Sequence, residues 1–136
     1  MTSVLVASVA QIPPDSALGV QIATQSATVI GRSRAEGPPD TLPVVVVHTA
    51  DGEWFAAGDQ CPHRPYLLSG GSLYGCQLEC PGHGSRFDTQ SGQSLNPPAV
   101  GAVPTYPVTV TGEEVYIELP TPDPEPPRKG KKGKAR

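Results

Sequence analysis

Val44-Val45-Val46-Val47-His48-Thr49-Ala50-Asp51-Gly52-Glu53-Trp54-Phe55-Ala56-Ala57 is the stretch that decides the fold class. Two β-rich runs, Val44–His48 and Glu53–Ala57, flank Asp51-Gly52, and Asp-Gly between such runs is the strongest short hairpin signal. Working outward, Val4–Val9, Val20–Thr24 and Thr28–Arg32 read as further strands on the N-terminal side. Asp15–Leu18 reads as a turn after Pro13-Pro14, and Ser33–Leu42 as a Gly/Pro-rich loop. On the C-terminal side, Val108–Thr111 and Val115–Leu119 flank Gly112-Glu113-Glu114 as a second hairpin. Gly and Pro, at 15 and 17, supply about a quarter of the 136 residues, and no helical apolar period runs for three turns, so a helical bundle is excluded. Short strands at this spacing predict an all-β fold, an antiparallel β sandwich or barrel.

Aromatic residues make up only 5% of the chain, so the core must be small and built of Val, Ile, Leu and Ala, and a further source of stability is needed. No run reaches the roughly 20 apolar residues of a membrane span. The N-terminus, Met1-Thr2-Ser3-Val4-Leu5-Val6, has neither the basic flank of a secretory signal nor a twin-arginine pair, so a soluble, cytoplasmic protein is expected. Three cysteines in such a chain point to metal or thiol chemistry rather than a disulfide framework.

The formal net charge of −3 conceals a split. Six of the ten basic residues fall in the last nine positions, so residues 1–127 hold four basic residues against thirteen acids, a balance of −9. An acidic body is a poor nucleic-acid binder and suits a basic protein partner. From Pro120 the sequence turns Pro-rich and then basic, so residues 1–119 are expected to form the folded domain and 120–136 a disordered tail.

The chemistry lies between the two hairpins, in residues 58–100, where apolar residues are few and a bound metal is expected to hold the loops. Cys61-Pro62-His63 and Cys80-Pro81-Gly82-His83 give the pattern C-x-H-x16-C-x2-H. Two thiolates and two imidazoles admit either a tetrahedral zinc ion or a Rieske [2Fe-2S] cluster, in which the two Cys bind one iron and the two His the other. Spacing alone separates these poorly. No helix signal surrounds the second pair, unlike a zinc finger.

On these motifs the chain resembles a Rieske-type ferredoxin of bacterial ring-hydroxylating dioxygenase systems. The family's first loop, C-x-H followed by L-S-x-G, is matched by Cys61, His63 and Leu68-Ser69-Gly70-Gly71. Its second, C-P-x-H-G-x-x-F, is matched by Cys80, Pro81, His83, Gly84 and Phe87, and its Pro loop by Pro97-Pro98-Ala99. The resemblance covers roughly residues 4–119 and is weakest before Val44. It implies one Rieske [2Fe-2S] cluster on Cys61, His63, Cys80 and His83, with Ser85, Phe87 and Pro98 around it. Rieske subunits of cytochrome bc complexes have an extra Cys in each loop, where Tyr66 and Gly82 stand here. They also have a hydrogen-bonding Tyr where this chain has Phe87. Fewer donors to the cluster imply a potential in the lower half of the roughly −150 to +300 mV Rieske range.

The function so implied is one-electron transfer from a flavin-dependent ferredoxin reductase to a terminal Rieske oxygenase, without membrane or nucleic-acid partners. Only His48 remains beyond the two ligand histidines, too few for the two-His, one-carboxylate iron of the oxygenases themselves, so the chain is not expected to be an enzyme. The alternatives are a small Rieske-like subunit of a nitrite reductase and a zinc-binding interaction module. Cys76 lacks a partner at ligand spacing and reads as an unliganded thiol; His48, Trp54 and Phe55 read as structural, and Gly70, Gly71 and Gly84 as backbone devices. Arg64 and Tyr66 are docking candidates within the first loop.

Overall fold

The computed structural model describes residues 2–34, 40–60, 67–81, 86–95 and 103–119. Eleven strands are present among them: β1 (Thr2–Ser8), β2 (Ser16–Ala23), β3 (Thr28–Arg32), β4 (Thr41–His48), β5 (Trp54–Gly58), β6 (Ser72–Tyr74), β7 (Gln77–Glu79), β8 (Arg86–Asp88), β9 (Thr105–Tyr106), β10 (Val108–Thr111) and β11 (Glu114–Leu119). They form three antiparallel sheets, in the orders β1-β11-β10, β3-β2-β4-β5-β9 and β6-β7-β8. The all-β expectation is met.

The hairpin of β4 and β5 is the wall between two cores. Val44, Val46 and Ala56 face a first core with Val4, Ile12, Val20, Ile22, Val115 and Ile117, closed by the β1-β11-β10 sheet. Val45, Val47 and Ala57 point the other way, into a second core with Leu68, Leu78, Cys80, Phe87 and Val103. Successive side chains of a strand leave on opposite faces, so a strand with a core on each side reads as an unbroken apolar run. That is why four consecutive valines stand at 44–47, each fully buried. At the turn, Thr49 N donates to Glu53 O at 2.8 Å, and the rings of the paired residues His48 and Trp54 stack 3.9 Å apart. His48 Nδ1 lies 2.8 Å from the carbonyl of Ile12, so the buried ring donates there and has the structural place expected of it.

Several boundaries differ from the sequence reading. Ser16–Leu18 belong to β2, not to a turn, because the reversal is tighter: Asp15 takes φ 64°, its N–H reaches His48 O at 2.7 Å, and Ser16 Oγ donates to Pro13 O at 2.5 Å. Thr41 and Leu42 already belong to β4. The last hairpin has a two-residue loop, since Glu114 pairs with Thr111 on the strand. Gly112, at φ 61°, supplies the positive φ that the first central residue of a type II′ turn requires. Val9 leaves β1 for a 3-10 turn over Val9–Gln11.

The larger correction concerns residues 58–100, which the sequence reading left without strands and short of apolar support. Three three-residue strands lie there, and Leu68, Leu78 and Phe87 are each at most 1% exposed. At about 2 kcal/mol per fully buried large apolar side chain, this second core is a substantial support in its own right.

Candidate metal centre

The structure defines the bases that flank the two Cys-His segments. The first segment spans 61–66. Its base is closed by an antiparallel bridge between Gln60 and Leu67 and by a hydrogen bond from Leu68 N to Asp59 O at 2.7 Å. The base is anchored to the central sheet, with Asp59 N donating to Pro43 O at 3.1 Å. The second segment, residues 80–85, lies between β7 and β8, whose register pairs Glu79 with Arg86 and Leu78 with Phe87. Cys80 therefore begins its loop directly at the end of a strand, and it is 1% exposed, sharing the second core with Leu78 and Phe87.

The two bases touch. Ser72 pairs with Glu79 in the β6–β7 ladder, and just before it Gly71 runs so close to the partner strand that an added Cβ would meet Glu79 O at 1.7 Å and Pro81 Cδ at 3.2 Å. The glycine is needed for space and not for dihedral freedom, since φ is −97° and ψ −160°. The end of the first loop's base thus lies against the residue that precedes Cys80. This bears out the reading of Gly71 as a backbone device and extends it: the glycine lets the two bases approach this closely.

Asp59, two positions before Cys61, has no exposed surface. Its carboxylate accepts from Ser69 N at 2.6 Å and from Ser69 Oγ at 2.7 Å, and the Ser33 hydroxyl, which donates to Val20 O at 3.1 Å, lies close by. Burial pushes its carboxyl above the usual value, while Ser33 and Ser69 work the other way. Sequence reasoning missed Asp59, Ser33 and Gly19, because they come together only in three dimensions. The available hint was an acidic residue closing the apolar run of β5 just before a ligand.

Phe87 is fully buried and belongs to the same core as Cys80. Cys76 lies in the β6–β7 turn, half-buried, with its thiol 3.4 Å from Asp88 Oδ1. Burial raises its pKa, and the Asp88 carboxylate raises it further, so the thiolate is disfavoured there. On the outer face of the small sheet, the Arg86 guanidinium lies 4.1 Å from the ring centre of Tyr74, whose hydroxyl donates to Glu79 Oε1 at 3.3 Å. Cys61, His63, Arg64, Tyr66, His83, Gly84, Ser85 and Pro97-Pro98-Ala99 lie outside the described residues.

The donor chemistry and this geometry suit a metal cluster: two bases in close contact, one ending at a buried thiol, each leading into a segment that carries a Cys and a His in sequence. The family model for the Rieske [2Fe-2S] domain matches residues 2–107. The chain belongs to the Rieske [2Fe-2S] family. It takes one Rieske-type [2Fe-2S] cluster, which sets aside the zinc alternative.

Among curated Rieske proteins it is 37% identical over 86 residues to the 3-phenylpropionate/cinnamic acid dioxygenase ferredoxin subunit of Escherichia coli (strain K12), covering 62% of this chain and 81% of that protein. Among solved structures it is similar to the ferredoxin of carbazole 1,9a-dioxygenase from Nocardioides aromaticivorans IC177. That match has a TM-score of 0.67 and 28% identity, and covers 86% of this chain and 97% of the other. The Sphingomonas yanoikuyae B1 ferredoxin follows with a TM-score of 0.65 and 27% identity, covering 88% and 100%. The relatives are ferredoxin subunits, and the chain is a Rieske electron carrier, not a catalytic enzyme. Among the described residues no helix is long and apolar enough to cross a membrane.

Proposed function

We propose that this Rieske protein receives single electrons from a flavin-dependent ferredoxin reductase and delivers them to a terminal Rieske oxygenase of the aromatic-ring hydroxylating type, in the cytoplasm. Residues 1–119 form the Rieske domain in this reading, and 120–136 a tail. Cys61 and Cys80 would hold one iron through their thiolates, and His63 and His83 would hold the other through neutral imidazoles. The cluster, when bound, supplies a reversible one-electron couple. The chain's own part is to hold and orient it. Asp59 and Ser69 fix the base of the first segment, Gly71 lets the base of the second come close, and Leu78 and Phe87 shield the Cys80 side from water. Excluding water there would keep the dielectric low around the Cys80 thiolate, while His63 and His83 would be the ligands turned toward the electron partners.

The observation that carries this reading is the close contact of the two bases, with Cys80 buried at the end of one, in a chain whose relatives are dioxygenase ferredoxin subunits. The test is visible and low-temperature EPR spectroscopy of the protein as expressed, beside Cys61→Ser, Cys80→Ser and Cys76→Ser. The first two are expected to lose the cluster and the third to keep it. Loss in Cys76→Ser would overturn the ligand assignment. Failure of the native protein to accept electrons from NADH through a flavin-dependent ferredoxin reductase would overturn the carrier role in an oxygenase chain.

A further inference from the structure

Four residues far apart in sequence meet at the root of the first ligand loop. Asp59 directly follows β5, Ser69 sits in the 3-10 turn Leu68–Gly70, Ser33 follows β3, and Gly19 lies in the middle of β2. The Asp59 carboxylate holds both the N–H and the hydroxyl of Ser69, at 2.6 and 2.7 Å, with the Ser33 hydroxyl, bonded to Val20 O, beside the pair. Gly19 makes room for the group: a Cβ there would lie 2.5 Å from Ser69 Oγ and 2.7 Å from Ser33 Oγ, and closer still to Asp59 Oδ2. Among the described residues Asp59 is the one carboxylate sequestered from solvent. A buried acid is costly unless its hydrogen bonds are worth the desolvation, so a site that has one, with the space around it cleared, has a specific use for it.

That use follows from what Ser69 is joined to. Two residues further on, Gly71 abuts Glu79, the residue before Cys80. Asp59 itself stands two residues before Cys61. The path Cys61, Asp59, Ser69, Gly71, Glu79, Cys80 is therefore continuous, and its one link made by a side chain is the Asp59–Ser69 clasp. We propose that Asp59 is a positioning residue for the cluster: its clasp on Ser69, seated against Gly19 and Ser33, fixes the two ligand loops relative to one another. Metal ligation tolerates distance errors of only about 0.2 Å, so a clasp that holds a loop base in register acts directly on how firmly the cluster is held. The proposal rests on the ligand assignment made above.

The experiment loads Asp59→Ala, Asp59→Asn, Ser69→Ala and Gly19→Ala with the cluster. It records EPR line positions and visible circular dichroism at low temperature, and the rate at which an iron chelator bleaches each protein, with far-UV circular dichroism confirming the β fold. Asp59→Ala removes the acceptors and is expected to shift the EPR lines and bleach about tenfold faster, the factor set by one lost hydrogen bond to a charged group. Asp59→Asn keeps an acceptor for Ser69 N–H and is expected to stay within about threefold of the native rate. Gly19→Ala, which crowds the clasp while leaving its polar groups in the sequence, should follow Asp59→Ala. Ser69→Ala keeps the backbone bond, so its bleaching should lie between the native and Asp59→Ala rates, and it keeps the test readable if Asp59→Ala takes up no cluster.

Native EPR lines and native bleaching in Asp59→Ala, or in Ser69→Ala where that stands in for it, would overturn the proposal. So would a lower melting temperature with an unchanged spectrum and bleaching rate, the mark of a residue that only supports the fold. Cys61→Ser run alongside separates the two levels: if it retains its cluster the ligand assignment falls, and if it loses the cluster while Asp59→Ala behaves as native, only the clasp does.

Discussion

Gly71→Ala tests whether the two ligand loops are held apart at a fixed spacing. The new Cβ would sit 1.7 Å from Glu79 O and 2.9 Å from Glu79 C, both backbone atoms that cannot rotate away. Restoring an ordinary contact of about 3.2 Å or more requires the two segments to separate by about 1.5 Å, several times the roughly 0.2 Å that metal ligation tolerates. The backbone at Gly71 is otherwise suited to alanine, with φ −97° and ψ −160°, so the effect is purely one of space. Overpacking of this kind costs about 1–3 kcal/mol, and loss of the adjoining Ser72–Glu79 ladder pair adds about 1 kcal/mol. Gly70→Ala is the matched control, because its Cβ would find Pro81 Cγ at 3.9 Å, an ordinary contact. Iron content, visible spectrum and melting temperature of the two proteins purified side by side give the answer. Gly71→Ala is expected to contain little iron and to melt well below the native protein, and Gly70→Ala to be near native in both. A Gly71→Ala protein with full iron and the melting temperature of Gly70→Ala would refute the claim that this approach sets the loop spacing.

Three further predictions follow from the surroundings of the site. Phe87→Tyr should raise the midpoint potential by about 20–40 mV if its hydroxyl donates toward the cluster, the one-electron equivalent of about 0.5–1 kcal/mol, and protein-film voltammetry that finds no change would remove hydrogen bonding at this position as a tuning device. Cys76 should react slowly with Ellman's reagent near pH 8, because burial and then Asp88 hold its pKa up; Asp88→Asn should quicken the reaction only in part, and a full return to the rate of a free thiol would show that burial is not the main cause. Truncation after Leu119 removes the basic end of the chain and should speed reduction by a basic reductase at low salt while steepening its decline above about 0.1 M, with the potential unchanged; slower reduction in stopped-flow measurements would make the tail a docking element instead.

What the sequence disclosed was whatever local chemistry controls. The β4–β5 hairpin was legible because Asp51-Gly52 specifies its own turn, and the Rieske cluster because cysteine and histidine within these two motifs have few other uses. The strands β6, β7 and β8 were not. Each has three residues and one inward apolar side chain, Leu73, Leu78 or Phe87, which is too short a run for alternation to register. The start of β2 was hidden because Pro13, Pro14 and Asp15 concentrate turn signals beside it, and the reversal they drive ends a residue before Ser16. Asp59 was invisible for another reason. Its value depends on Gly19, Ser33 and Ser69 arriving from other parts of the chain, and no local pattern encodes that.

The ends of the ligand-bearing segment lie side by side: Ala57 pairs with Thr105, and Gly58 N donates to Pro104 O at 2.8 Å. In polymer terms, residues 59–103 are a loop whose closure the sandwich has already carried out. Bringing the ends of a free 45-residue chain together costs about 3 kcal/mol of entropy, the logarithmic loop term alone. The host sheet bears that cost through its own strand pairing, and the segment folds as a tethered guest with both ends pinned a few ångströms apart. Such a guest can change length and loop sequence with little penalty, since doubling a closed loop adds only about 0.6 kcal/mol. A frame of this kind leaves ligand loops free to diverge while the sheets that hold them stay the same.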